Sequence, residues 1–187
     1  MDQRIRSKRL ILRKPRIEDA KDIFDRYTQD PEVSRFVSWQ THQKLADSEA
    51  YMEQAIAAWS NGPHRPYAIE LQQEPGIIGM IAARFFQDFL VNLGFTLARK
   101  HWNHGYMTEA VAAIIQHCMS HSHIFRVEAT CDIDNIGSAR VMEKAGMQLE
   151  GIQRKAMILP AFGPIPRDMK MYAVIKETSQ NFQDGKD

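Results

Sequence analysis

Between Val91 and Cys118 the chain changes its period. Val91–Leu97 is apolar and aromatic, a run suited to a strand. Val111, Ile114, Ile115 and Cys118 then recur at i, i+3, i+4 and i+7, one face of a helix. Only a short turn carrying Gly105 joins the two. The first amides of a helix have no internal partners, and the helix dipole is positive there, so such an end attracts phosphate. Gly105 has no Cβ and lets an anion come close to the backbone. Packing alone also produces strand–turn–helix units, so the feature needs support from the rest of the chain.

Taken in order, the pattern gives β-α-α-β-β-β-α-β-α-β-β. Arg9–Lys14 reads as a first strand stopped by Pro15. Ala20, Ile23, Phe24 and Tyr27 mark a helix face that ends at Asp30-Pro31. Residues 33–46 read as a loop or irregular helix carrying Phe36, Val37, Trp39 and His42. Asp47 can cap a second helix with Met52, Ala55, Ile56 and Trp59 on one face, stopped by Asn61-Gly62-Pro63. Three strand-like runs follow near 66–72, 77–84 and 89–97 as an antiparallel meander, then the helix of the opening stretch, ending near His121. Ile124–Asp132 alternates, with Phe125, Val127, Ala129 and Cys131 on one side and Arg126, Glu128 and Thr130 on the other. Asp134 or Asn135 caps a last helix, and Gly146 supplies its stop. Two more strands, near 147–157 and 169–175, flank Leu159–Pro166, a loop stiffened by three prolines. These elements predict an α/β sandwich on one mixed sheet of seven strands with about four helices. One domain is expected over 1–187, with its core at about 8–176 and a polar C-terminal tail at 177–187.

A formal net charge of +1 gives no reason to expect nucleic acid as a partner. No apolar run approaches the roughly 20 residues of a membrane span, and the N-terminus lacks an apolar signal region, so a cytoplasmic protein is expected. Cys118 and Cys131 read as reduced core thiols. His117, Cys118, His121 and His123 are metal-ligand types, yet Cys118 lies on the core face and histidines suit a helix C-terminus electrostatically, so no metal is expected.

Two long segments, Trp102–Ala110 and Asn135–Gly151, resemble the GCN5-related N-acetyltransferase (GNAT) superfamily, and its RimJ/RimL-like branch in particular. Trp102-Asn-His-Gly-Tyr-Met-Thr-Glu-Ala110 is similar to the family's acetyl-CoA pyrophosphate loop, usually Gln/Arg-x-x-Gly-x-Gly/Ala. Asn135–Gly151 is similar to its Asn-x-x-Ser…Glu-Lys-x-Gly-Phe…Glu-Gly segment. Arg9-Leu-Ile-Leu-Arg13, Trp39-x-x-His42 and Arg167-Asp168 are weaker matches, and the elements stand in family order.

The resemblance implies an acetyl-CoA-dependent N-acetyltransferase. The strands at 89–97 and 124–132 would splay to admit the pantetheine arm, which would pair with backbone groups of Phe95, Leu97 and Ala98. The pyrophosphate would lie on Asn103, His104, Gly105, Tyr106, Met107 and Thr108. Asn135 would bind the cofactor as well as cap its helix, and Ser138 would assist the departing thiolate. Trp39, His42 and Phe162 would line the acceptor pocket. The acceptor would be a primary amine: a ribosomal or other protein N-terminus, or a small amine. A monomer or homodimer is expected. This sequence departs from the family pattern at four positions: Lys100 for Gln or Arg, Asn103 for the first glycine, Asn92 where relatives often place Glu, and Met142 where some place Tyr. Asn can adopt the left-handed geometry of such a turn. Asn92 and Met142 cannot move a proton, which leaves room for a second reading, a non-catalytic acyl-CoA-binding regulator. A generic phosphate-binding module would explain Gly105 but not Asn135–Gly151.

Overall fold

In the computed structural model, which describes residues 2–177, eight strands form one sheet in the order β1-β2-β3-β4-β5-β6-β8-β7. The strands are β1 Arg4–Arg6, β2 Leu10–Arg13, β3 His64–Leu71, β4 Ile77–Gln87, β5 Leu90–Leu97, β6 Arg126–Asp132, β7 Gln148–Met157 and β8 Arg167–Ile175. The described α-helices are α1 Asp19–Ile23, α2 Pro31–Ser34, α3 Leu45–Asn61, α4 Tyr106–Met119 and α5 Ile136–Lys144. All neighbouring strands are antiparallel except β5 and β6. The α/β sandwich on a mixed sheet is as expected, with eight strands rather than seven and five helices rather than about four. The extra strand is β1, three residues with a single apolar side chain, Ile5, too short for an alternation to register. The extra helix is α2, one turn with Pro31 at its first position and the Asp30 carboxylate accepting from Glu32 N–H. The tail from residue 178 lies outside the described residues.

Two apolar layers sandwich the sheet. On one face, α4 buries Met107, Ala110, Val111, Ile114, Ile115 and Cys118, with α5 adding Ala139 and Met142. These pack on inward residues of the strands, including Leu10, Leu12, Tyr67, Ile81, Val91, Leu93, Val127 and Ala129. On the other face, Ala20, Ile23, Tyr27, Val33, Met52 and Ala55 pack on Ala68, Ile77, Met80 and Ala98. Arg13 ties α1 to the sheet through Asp19 at 2.7 Å and Glu70 at 2.7 Å.

The β6 alternation holds for Val127, Ala129 and Cys131, all buried, but Phe125 precedes the strand and is 40% exposed. α3 begins two residues before Asp47, whose carboxylate still accepts from Gln43 and Lys44 N–H. α5 ends as its sequence foretells: Gly146 takes φ 90°, its N–H bonds to Glu143 C=O, and Met147 N–H bonds to Met142 C=O. Cys118 and Cys131 are buried, which pushes their thiols up to about 12 and about 11. Among the described residues no helix is long and apolar enough to cross a membrane, and no group of His, Cys, Asp and Glu is placed to hold a metal ion.

Candidate active site

The site begins where the one parallel pair comes apart. β5 and β6 pair from Leu90↔Arg126 to Leu93↔Ala129 and no further. Yet β5 runs on to Leu97 beside β4, and β6 runs on to Asp132 beside β8. The two strands therefore open a wedge at their carboxyl ends, the end of a parallel pair where ligands bind in open α/β sheets. The Ala98 N–H bonds to Ile78 C=O at 2.8 Å. By the alternation of the ladder, Gly94 and Thr96 also turn their polar groups to β4, and Phe95 and Leu97 turn theirs to the wedge. The Leu97 carbonyl is taken by the Trp102 indole N–H at 2.7 Å. Phe95 N–H, Phe95 C=O and Leu97 N–H are left facing the wedge. A side chain at Gly79 would strike the Thr96 carbonyl at 2.4 Å, so β4 presses backbone to backbone on this end of β5.

The turn into α4 rims the wedge. A single helical turn, Arg99–His101, is followed by Asn103 at φ 62° and Gly105 at φ 75°. Asn103 takes the left-handed conformation that its residue type tolerates. Tyr106, Met107 and Thr108 open α4, with Met107 side chain in the core and its backbone at the helix mouth. His104 stacks on Tyr106, centroids 5.7 Å apart and planes 8° apart, and its Nδ1 lies 2.7 Å from Trp102 C=O.

Glu109 does not face this turn as a base. Its carboxylate accepts from Ser7 Oγ at 2.7 Å, Arg9 N–H at 2.6 Å and Arg9 Nε at 2.6 Å. Burial alone would raise this carboxyl, but those three donors hold it below the usual carboxylate range.

α5 starts at the same end of the sheet, directly after β6. The Asn135 side chain accepts from Ser138 N–H at 3.0 Å, so Asn135 is the N-cap. That bond fixes the first turn and sets the half-buried Ser138 at the mouth of the helix beside the wedge. Asp132, the last residue of β6, is wholly buried and held by Arg167 Nη2 at 2.9 Å and Asp134 N–H at 2.9 Å. Burial would raise its carboxyl, but Arg167 and the Asp134 amide outweigh that and keep it low. The same guanidinium lies 4.1 Å over the Phe162 ring. One ion pair thus ties the proline loop to the end of β6.

Phe162 meets Phe36 at 5.5 Å, which brings together the two loops expected to flank an acceptor. Trp39 packs instead on His42 at 5.2 Å and Tyr51 at 6.4 Å. His42 Nδ1 lies 2.7 Å from Ser48 Oγ, and burial holds its pKa below the usual imidazole value, against the pull of Asp47. On the strands, Asn92 lies opposite Glu128 and its amide reaches Glu128 Oε1 at 3.4 Å. Arg126 holds the other oxygen at 2.8 Å.

Tyr51, Asp132, Arg167 and Glu128 contact the groups above, and sequence reasoning gave them no role there. Arg167-Asp168 carried a signal as a weak family match, and Glu128 stood on the outward side of an alternating strand. The pairing of Asp132 with Arg167 across 35 positions had none.

A wedge between parallel strands, rimmed by two helix N-termini, is an architecture for an extended ligand with an anionic end. The chain matches the family description "Acetyltransferase (GNAT) domain" over residues 9–148. It therefore belongs to the GNAT family and is an N-acetyltransferase by that membership. It is 28% identical over 155 residues to the uncharacterised N-acetyltransferase YnaD of Bacillus subtilis strain 168, covering 82% of this chain and 87% of that one. Its fold is similar to the Microcin C7 self-immunity acetyltransferase MccE solved with acetyl-CoA and AMP, with TM-score 0.82, 21% identity, and 91% and 94% of the two chains covered. It is likewise similar to RimL, a ribosomal-protein alpha-N-acetyltransferase solved with coenzyme A, with TM-score 0.80, 21% identity, and 92% and 97% covered.

Proposed function

We propose that this protein moves the acetyl group of acetyl-CoA to a primary amine by direct attack, with a protein or peptide N-terminal α-amine as the favoured acceptor. The observation that carries this reading is the β5–β6 wedge, whose free rim groups on Phe95 and Leu97 match the amides of a pantetheine arm. The left-handed turn at Asn103 and Gly105 supports a pyrophosphate on the amides of Asn103–Thr108. The acetyl-CoA and coenzyme A in the MccE and RimL structures support the same ligand here.

In this reading the neutral amine attacks the thioester carbonyl. The oxyanion of the tetrahedral adduct is stabilised by N–H groups on the β5 rim. Collapse breaks the C–S bond, the amine proton passes to water, and the departing thiolate, hydrogen-bonded by the Ser138 hydroxyl, takes its proton from water. Asn135 holds that serine through its cap. Trp39, His42 and Phe162 line the acceptor approach. Among the described residues the carboxylates beside the wedge, Glu128 and Asp132, are each held by an arginine, which favours an α-amine of pKa about 7.7–8.0 over a lysine amine near ~10.4. RimL acts on a ribosomal protein, and that name supports a protein N-terminus as acceptor. We read the chain as one domain acting in the cytoplasm, as a monomer or homodimer and without nucleic acid.

The test is thiol release from acetyl-CoA across a panel of N-terminal peptides, amino acids and small amines, with product mass spectrometry. Release that depends on an added amine, with a mass gain of one acetyl group, is expected. Tight acetyl-CoA binding with no release on any amine would favour a regulator instead.

A further inference from the structure

Arg9 stands in the turn between β1 and β2, 95 to 100 positions before the helix-mouth residues that it touches. Its Nε is bonded to Glu109 at 2.6 Å and its Nη1 donates to His104 C=O at 3.0 Å. The guanidinium carbon lies 4.5 Å from the centre of the Tyr106 ring. These contacts fix the plane of the group across the turn. They leave Nη2, which has no protein hydrogen bond among the described residues. That nitrogen lies 3.5 Å from where a Cβ on Gly105 would stand, so it borders the space that the missing side chain keeps open. The Arg9 side chain is 42% exposed and remains reachable by a ligand.

We propose that Arg9 binds the pyrophosphate of coenzyme A, its Nη2 closing the cradle from the side opposite the helix amides. The inference rests on the acetyl-CoA reading above. Arg99, the arginine nearest in sequence to the turn, is committed to Asp30 at 2.8 Å. Lys100 is exposed beside it. Glu109 does not cancel Arg9, because its charge is shared with Ser7 Oγ and a backbone N–H. A guanidinium fixed on two of its nitrogens and free on the third offers a phosphate an oriented, charge-assisted donor with little further entropy to lose. The N-terminal hairpin is thereby part of the cofactor site.

Calorimetry with CoA and with 3′-dephospho-CoA tests this on three variants. Arg9→Gln keeps the stem and a donor but loses the charge, and should weaken both ligands about tenfold, the loss of one charge-assisted hydrogen bond. Arg9→Lys keeps the charge but not the fixed fork, and should bind both ligands more tightly than Arg9→Gln and less tightly than wild type. Glu109→Gln loosens one anchor of Arg9 but removes a negative charge near the phosphates, and should weaken both ligands less than Arg9→Gln does. Unchanged affinity in Arg9→Gln overturns the proposal, and so does an equal loss in Arg9→Gln and Glu109→Gln, which would make Arg9 a structural pin. A loss confined to CoA, sparing 3′-dephospho-CoA, overturns the pyrophosphate assignment. On wild-type protein the Arg9 side-chain Nε–H resonance should move on titration with inorganic pyrophosphate, which decides the matter if Arg9→Gln does not fold. An unmoved signal at saturating CoA overturns the proposal. Wild-type protein that binds neither CoA nor 3′-dephospho-CoA would instead overturn the acetyl-CoA reading itself.

Discussion

Single residues at the wedge have separable effects. Gly105 sits at φ 75°, where a β-branched residue is strained, and a side chain there would stand in the path of an approaching phosphate. Its nearest neighbour would be Arg9 Nη2 at 3.5 Å, an ordinary contact, so crowding is not the obstacle. Gly105→Val should therefore lower acetyl-CoA affinity strongly while the protein still folds. Calorimetry showing wild-type affinity in a folded variant would remove the turn from the site. Ser138 is a different case, since its backbone is fixed by Asn135 and its hydroxyl is not part of the cap. Ser138→Ala should lower kcat by about 5- to 200-fold, about 1–3 kcal/mol, with cofactor affinity near normal. An unaltered kcat under conditions where chemistry limits the rate would leave Ser138 as packing. The left-handed turn at Asn103 and Gly105 and the Asn135 cap were legible because each depends on residue type and local conformation. Asp132 was not, since a carboxylate at a strand end announces nothing until a partner 35 residues away closes on it.

At the scale of elements, long periodic segments were readable and short ones were not. α4 and β6 carry enough buried positions for a period to stand out. β1 has three residues and α2 four, and both are held by neighbours rather than by pattern. α5 is short too, yet its caps made it visible at both ends: Asn135 before it and Gly146 after. Asn135→Ala should destabilise the protein by about 1 kcal/mol through the lost cap. It should also lower kcat, because Ser138 loses the bond that positions its turn. Thermal melts and steady-state rates on the same preparation check both. The aromatics expected to line an acceptor fall into two groups, Phe36 with Phe162 and Trp39 with His42 and Tyr51 of α3. Trp39→Ala should raise KM for the amine far more than for acetyl-CoA. An equal rise in both, with a lower melting temperature, would assign Trp39 to the core.

For the molecule as a whole, the pattern of elements gave the sandwich, but the wedge was visible only through resemblance. Residue pattern marks both β5 and β6 as strands along their length, and nothing in an alternation records where two strands cease to pair. Acid stability is a property at this scale. Asp132 and Glu109 both titrate below the usual carboxylate range in the folded state, held there by Arg167 and Arg9 among their donors. Their contribution is full above the unfolded values, near ~3.9 for Asp and ~4.3 for Glu, and is lost as pH falls through the folded ones. The gap in urea midpoint between wild type and Asp132→Asn should therefore be widest near neutral pH and shrink below about pH 4. A gap independent of pH would mean that Asp132 contributes by packing alone.

The unpaired ends of β5 and β6 make the sheet an unfinished object. A pantetheine arm laid into the gap would act as the missing length of strand, so the co-substrate becomes a component of the fold. Occupancy then shores up the native state by mass action, about 2.7 kcal/mol at a hundred times Kd. The amide hydrogens of Phe95 and Leu97 should exchange more slowly with CoA present, while those of Gly94 and Thr96, already pointed at β4, should change little. On the acetyl-CoA reading, the lifetime of this protein in a cell would follow the supply of coenzyme: starved of it the fold would be easier to open and degrade, and replete it would persist.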